Sequence, residues 1–119
     1  MSNLSADIVA GPQLDRRLGR RRTIKKQIRV ALRRGPTALG PNLAIALIDV
    51  SRDGLGVHLA VSLDFGDEVR IELASPEVGK PLELVGAVRW CMAVGDGTFR
   101  AGVHLRGQLA DSDLTSLTE

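Results

Sequence analysis

The sequence predicts an all-β domain, an antiparallel barrel or sandwich of six short strands, with a flexible basic N-terminal arm and a short C-terminal helix. Three observations lead there. Apolar residues recur with period two from Gln27 onward. Turns rich in Gly, Asp and Pro interrupt the pattern at regular intervals. The length of 119 residues suits one domain, which buries about two thirds of the surface its unfolded chain exposes.

Each element has its own signal. Residues 1–14 lack periodicity and contain the breakers Gly11 and Pro12, so a flexible lead-in is expected. Ile28, Val30 and Leu32 alternate with Gln27, Arg29 and Ala31, a strand with one buried face. Gly35, Pro36, Gly40 and Pro41 make a loop of Arg33 to Asn42. The continuous apolar run from Leu43 to Val50 reads as a strand buried on both faces or rolled into a barrel. Ser51 to Gly54 is turn material, and Leu55 to Ala60 is a short strand. Glu68 to Leu73 turns Val69, Ile71 and Leu73 inward, and a long strand runs from Leu82 to Met92. Gly95, Asp96 and Gly97 make a tight hairpin into a last strand, Thr98 to Leu105. Leu109, Ala110, Leu114 and Leu117 fall at helical spacing within Gln108 to Leu117. Closing the strands on one another removes exposed edges.

Composition narrows the function. Apolar residues are 44% and charged residues 25%, the balance of a globular chain. No apolar run approaches the roughly 20 residues a bilayer span needs, and no basic stretch leads into an apolar one at the N-terminus, so a cytoplasmic location is expected. Cys91 is the single cysteine, and His58 and His104 are the two histidines, which leaves no disulfide within the chain and no metal-ligand pattern. The net charge of +2 conceals an asymmetry. From Asp15 to Arg34 ten basic residues meet one acid, a net +9, while the remainder holds 6 basic and 13 acidic residues, a net −7. A concentrated cationic arm implies an anionic partner that relieves its self-repulsion, against the alternative of a solvated tail.

Catalytic signals are weak, and no enzyme is expected. Asp49, Ser51 and His58 supply the residue types of a hydrolytic triad, but no nucleophile elbow surrounds the serine. His58 and His104 alternate with apolar neighbours as outward-facing or satisfied histidines do, and Cys91 reads as a packed thiol. Gly54 and Gly56 form a GxG that precedes a strand instead of a helix, so a dinucleotide fold fails on context. With only Phe65, Trp90 and Phe99 as aromatics, a platform for stacking successive nucleic-acid bases is missing. The arginine arm and the segment Asp49-Val50-Ser51-Arg52-Asp53-Gly54 carry more. Guanidinium forks fit phosphate oxygens and the O6 and N7 acceptors of guanine. The Asp49 carboxylate accepts from guanine N1 and N2, Ser51 adds a hydroxyl, and Gly54 lets the backbone turn tightly. The plainer alternative is an Asx or Ser turn joining two strands.

At these residues the chain resembles the PilZ family of bacterial cyclic di-GMP receptor domains. The family shows an RxxxR motif ahead of the first barrel strand and a (D/N)xSxxG motif after the second, here Asp49, Ser51 and Gly54. The likeness continues through LGVHL, FGDEVRIEL (Phe65 to Leu73), GAVRW (Gly86 to Trp90) and FRAGVHL, covering residues 16–106 in order. Arg16 with Arg20, Arg17 with Arg21 and Arg29 with Arg33 all have the first motif's spacing, but the last pair lies in or after the first strand. Matching Ile24, Ile28 and Val30 to the family's apolar pattern favours Arg17 and Arg21, with Arg16 assisting and Arg16 with Arg20 as second choice. The segment TIKKQI stands where the family often has a proline.

The resemblance implies a six-stranded antiparallel PilZ-type β-barrel with a flanking helix, in a chain divided as a flexible N-terminus (1–14), the PilZ domain (15–107, with its RxxxR arm at 16–22) and a C-terminal helix or tail (108–119). It implies a cyclic di-GMP site built from Arg16, Arg17, Arg20, Arg21, Asp49, Ser51 and Gly54, with no cofactor beyond that ligand, which many members bind as an intercalated dimer. Fixing seven arm residues costs roughly 7–14 kcal/mol, which unliganded like-charged arginines do not repay. The arm is therefore expected to order when the anion arrives and to signal to an effector protein in trans. The rivals are a PilZ interaction module that binds no nucleotide and a nucleic-acid-binding barrel.

Overall fold

The period-two pattern becomes burial most directly in Glu68–Ala74, where Val69, Ile71 and Leu73 are buried and the residues between them are half-exposed. In the computed structural model, residues 22–24, 27–35, 37, 39–75 and 80–118 are described. Among them lie β1 (Arg22–Thr23), β2 (Arg29–Arg34), β3 (Ala44–Val50), β4 (Gly54–Leu59), β5 (Glu68–Ala74), β6 (Leu82–Ala93), β7 (Phe99–Leu105) and α1 (Asp111–Leu117). All pairings are antiparallel, in the order β1-β3-β4-β7-β6-β5-β2, and β2 to β7 are the six expected strands, curled into a nearly closed barrel. Leu32, Val50, Leu55, Val57, Leu59, Val69, Ile71, Leu73 and Val88 fill its interior. Each is worth about 1.5–3 kcal/mol relative to exposure.

Closure between β2 and β3 uses a side chain where a ladder would stand. The Leu43 amide donates to the Leu32 carbonyl at 2.8 Å. Asn42 Oδ1 accepts from the Leu32 and Ala44 amides, each at 2.9 Å, and its Nδ2 donates to the Val30 carbonyl at 3.4 Å. One carboxamide thus satisfies backbone groups from both strands, and a groove of about 520 Å³ with mixed polar and apolar walls runs along this seam past Ile28, Arg29, Val30, Ala44 and Ile45.

Two details differ from expectation. The apolar run in β3 is rolled into the barrel, but it is not buried on both faces: Ile45 is 50% exposed. Register shifts between Ala44 and Ala46 and between Leu47 and Asp49 explain this, since each bulge resets which side chains face inward. The helix begins at Asp111, with Ala110 as an N-cap that offers no side-chain hydrogen bond. Leu114 and Leu117 of α1, and Leu109 just before it, are buried against the barrel. The two-residue β1, which no periodicity announces, adds to the outer edge of β3, and Ile24 beside it bridges to Thr118. No described helix is long and apolar enough to cross a membrane.

Candidate functional site

The turn after β3 is fastened from several directions. Ser51 is 1% exposed. Its amide donates to the Gly54 carbonyl at 2.8 Å, and its hydroxyl faces Asp53 Oδ1 at 3.2 Å and the same carbonyl at 3.3 Å. The Leu105 amide donates to the Asp53 carbonyl at 2.8 Å, and the Leu109 amide to the Arg52 carbonyl at 2.7 Å. Arg52 Nη2 reaches Asp111 Oδ1 at 3.4 Å. The turn is therefore held between β7 and the segment leading into α1. Gly54, buried and paired with His104, lies outside the left-handed glycines Gly35, Gly66, Gly95, Gly97 and Gly107. Its backbone conformation is one that other residues adopt, so conformational freedom is not what glycine contributes there.

Strand register lays four residues in one row on the barrel exterior. Asp49 on β3 pairs with Gly56 on β4, Gly56 with Gly102 on β7, and Gly102 with Trp90 on β6. Their neighbours Val50, Leu55, Val57, Ala101 and Val103 point into the core, so this row points out. Both glycines leave room for a larger neighbour. A Cβ on Gly56 would lie 2.7 Å from Asp49 Oδ1, and one on Gly102 would lie 2.6 Å from Trp90 Cε2. The result is a shallow trough in which the Asp49 carboxylate covers Gly56 and the Trp90 indole, 41% exposed, covers Gly102, both glycines being buried. Arg100 and His104, both exposed, flank Gly102 along β7. Such a surface offers a hydrogen-bond acceptor, a flat aromatic face and the cationic Arg100 at its margin, which suit a planar heterocycle carrying anionic groups.

Of the residues singled out from sequence, Asp49 lies in the trough, and Ser51 and Gly54 shape the turn beside it. Arg16, Arg17, Arg20 and Arg21 fall outside the described residues. The described chain begins at Arg22, which pairs with Val50, and Thr23 pairs with Asp49. Asp49, Ser51 and His58 do not assemble as a triad: the Ser51 hydroxyl is engaged within its turn, and His58 Nε2 lies 2.7 Å from Thr98 Oγ1. Thr98 Oγ1 gives its one proton to Asp96, so it accepts from His58, which fixes the imidazole proton on Nε2. The hydrogen bonds from the Thr98 hydroxyl and amide hold the exposed Asp96 carboxyl below its ordinary pKa. No group of three or more metal-ligating side chains occurs among the described residues.

Sequence reasoning missed Gly56, Gly102 and Trp90 as partners of Asp49. Gly56 entered only as half of a GxG, and Trp90 only as one of few aromatics. Their shared row is a consequence of pairing between strands far apart in the chain. A glycine at an outward position, flanked by buried apolar residues as Gly56 is by Leu55 and Val57, is the local signal that could have marked the trough.

Comparison with known proteins agrees with this architecture. No curated protein matches the chain in sequence. Among solved structures, the inhibitor of motility MotI/DgrA of Bacillus subtilis superposes with a TM-score of 0.52 at 17% identity. The match covers 81% of this chain but 46% of that one, so the chain spans less than half the neighbour's length, and at this identity the likeness is one of fold. The PilZ domain family model matches residues 15–118. The antiparallel barrel, the Asp49-to-Gly54 turn and this match over nearly the whole chain establish that the protein belongs to the PilZ domain family.

Proposed function

We propose that the protein is a non-enzymatic cyclic di-GMP receptor whose trough takes a guanine and whose N-terminal arginines close over the ligand. The observation that carries this reading is the pairing of Thr23 with Asp49 and of Arg22 with Val50. Arg21 is one virtual bond, about 3.8 Å between Cα atoms, from a residue that already lies beside the motif turn. Arg17 and Arg21, with Arg16 and Arg20 beside them, then supply guanidinium forks for phosphate oxygens and guanine O6 and N7. Asp49 accepts from guanine N1 and N2, Ser51 and Gly54 hold the turn that presents it, and Trp90 offers a face against which a purine can stack. The net +9 of residues 15–34 suits a ligand with several phosphates, including an intercalated dimer of the messenger. Ordering of the arm on the ligand creates a new surface, and an effector protein reads it.

Calorimetry with cyclic di-GMP on the full chain and on Arg17→Ala, Arg21→Ala and Asp49→Ala tests the assignment. Saturable heat from the unaltered protein, lost or weakened at least tenfold in each variant, is expected. Quenching of the sole tryptophan, Trp90, should track the same isotherm. Amide exchange at Arg16 to Arg22 should slow when the ligand is added. Absence of heat from the unaltered protein overturns the reading in favour of an interaction module that binds no nucleotide.

A further inference from the structure

A second feature lies away from Asp49 and Trp90, on β2, β5 and the start of β6. On the outer face of β2, β5 and β6, the register sets Arg33 directly opposite Arg70 and Glu72 directly opposite Glu83. Like charges facing each other across adjacent strands stand about 5 Å apart at Cβ and destabilise the sheet. Exchanging Arg70 with Glu72 along β5 would have produced two attractive pairs from the same composition. The arrangement instead segregates a positive block on β2 and β5 from a negative block on β5 and β6.

Among the described residues no ion pair engages either block. The arginines that do pair with carboxylates lie elsewhere: Arg34 with Asp67, Arg52 with Asp111 and Arg106 with Glu68. Arg33 directs its Nε to the Gly40 carbonyl at 3.1 Å. Arg70 Nε is shielded from solvent with no hydrogen-bond partner, an arrangement that costs free energy until an acceptor arrives. All four residues line one depression of about 300 Å³. The chain thus presents two arginines, one of them with a buried Nε that lacks a partner, beside two carboxylates that form no ion pair among the described residues, all in one concave patch.

We propose that this patch is a self-association surface whose occupant is a second copy of the chain. A positive block beside a negative block is complementary to itself about a two-fold axis lying between them. Under that operation Arg33 and Arg70 of one protomer meet Glu72 and Glu83 of its partner, and the reciprocal contacts form at the same time. Guanidinium forks then receive the carboxylates they lack in the isolated chain. The intrachain repulsion is relieved only in the pair, so charges that disfavour the monomer favour the dimer. The trough residues take no part.

Sedimentation velocity of the full chain across protein concentrations up to about 1 mM, in low salt and in about 0.5 M salt, is the first measurement. A reversible dimer that weakens at least tenfold in high salt is expected. Arg33→Glu with Arg70→Glu, and separately Glu72→Arg with Glu83→Arg, should each abolish self-association. Mixing the two variants in equal amounts should restore a dimer, because every reversed charge then meets its complement. Arg70→Met, which removes charge while keeping bulk, should leave the melting temperature unchanged or raised while weakening the dimer. A wild-type chain that stays monomeric throughout overturns the proposal, whether the patch then serves another protein or nothing. So does a dimer that survives both double reversals, or reversed variants that fold by circular dichroism yet fail to pair. Cyclic di-GMP binding by the double variants is expected to persist, so failure here is distinguishable from failure of the receptor reading.

Discussion

Gly56 and Gly102 do their work through what they lack. A methyl at residue 56 meets a carboxylate oxygen that can rotate away, whereas one at residue 102 meets the body of the Trp90 indole. Gly56→Ala should therefore cost less than about 1 kcal/mol of stability while turning Asp49 out of position, weakening the messenger about tenfold. Gly102→Ala should cost about 1–3 kcal/mol, as overpacking of a fixed ring does, and should shift Trp90 emission even without ligand. Denaturant titration beside calorimetry checks both, and equal stability losses would show that the two contacts are the same kind. Asp96 gives a pH signature at the hairpin. Its carboxyl is held below the ordinary value of 3.8 by the Thr98 hydroxyl and amide. The unfolded chain consequently binds this proton more readily than the folded one. The contribution to stability is complete above the ordinary carboxylate range and is lost as pH falls through the depressed folded value. The stability gap between the wild type and Asp96→Asn should hold from pH 7 to about pH 5 and shrink as pH falls below the ordinary carboxylate value. A gap that widens on acidification would contradict this linkage.

Among the elements, the barrel closes between β2 and β3 through one backbone hydrogen bond and the carboxamide of Asn42. Removing the Asn42 carboxamide leaves the amides of Leu32 and Ala44 without their acceptor. Leu32 is fully buried, and an unsatisfied buried donor costs about 1–3 kcal/mol. Asn42→Ala should lose about that much and should speed exchange of the Leu32 amide more than that of Val57 in the centre of β4. Uniform acceleration across the barrel would mean the seam is not a local weak point. Strand β5 was legible from sequence because Val69, Ile71 and Leu73 write their burial into a local alternation. The closure was not, because Asn42 sits among Gly40, Pro41 and other loop formers, and its bonding partners lie on two different strands. Strand β3 shows the intermediate case: its existence was plain, but the bulges that turn Ile45 outward depend on the pairing with β4. The same holds for the site. The Asp49-to-Gly54 turn was readable as a contiguous motif, whereas the row joining Asp49 to Trp90 emerged only once four strands had been placed in register.

At the scale of the whole molecule, the separation of charge decides between a small messenger and a polyanion. A chain segment of net +9 joined to a remainder of net −7 attracts any polyphosphate at long range, and long-range attraction is screened over about 8 Å at physiological salt. Recognition of one guanine in the trough instead depends on short contacts that salt reaches poorly. The two modes therefore separate by their salt dependence. Each phosphate neutralised on a single strand contributes a slope of about −0.7 in log K against log salt, so an oligonucleotide that engages six arm residues should lose roughly four decades of affinity over a tenfold rise in salt. A ligand with two phosphates should lose fewer than about two decades over the same range. Asp49→Ala sharpens the contrast, because removing a negative charge beside the arm should leave oligonucleotide binding unchanged or stronger while abolishing the guanine contact. Isotherms for both ligands at matched salt concentrations, on the wild type and on Asp49→Ala, make the comparison. If the two ligands share one steep slope and neither responds to the loss of Asp49, the arm is a general polyanion binder and the trough has no part in recognition.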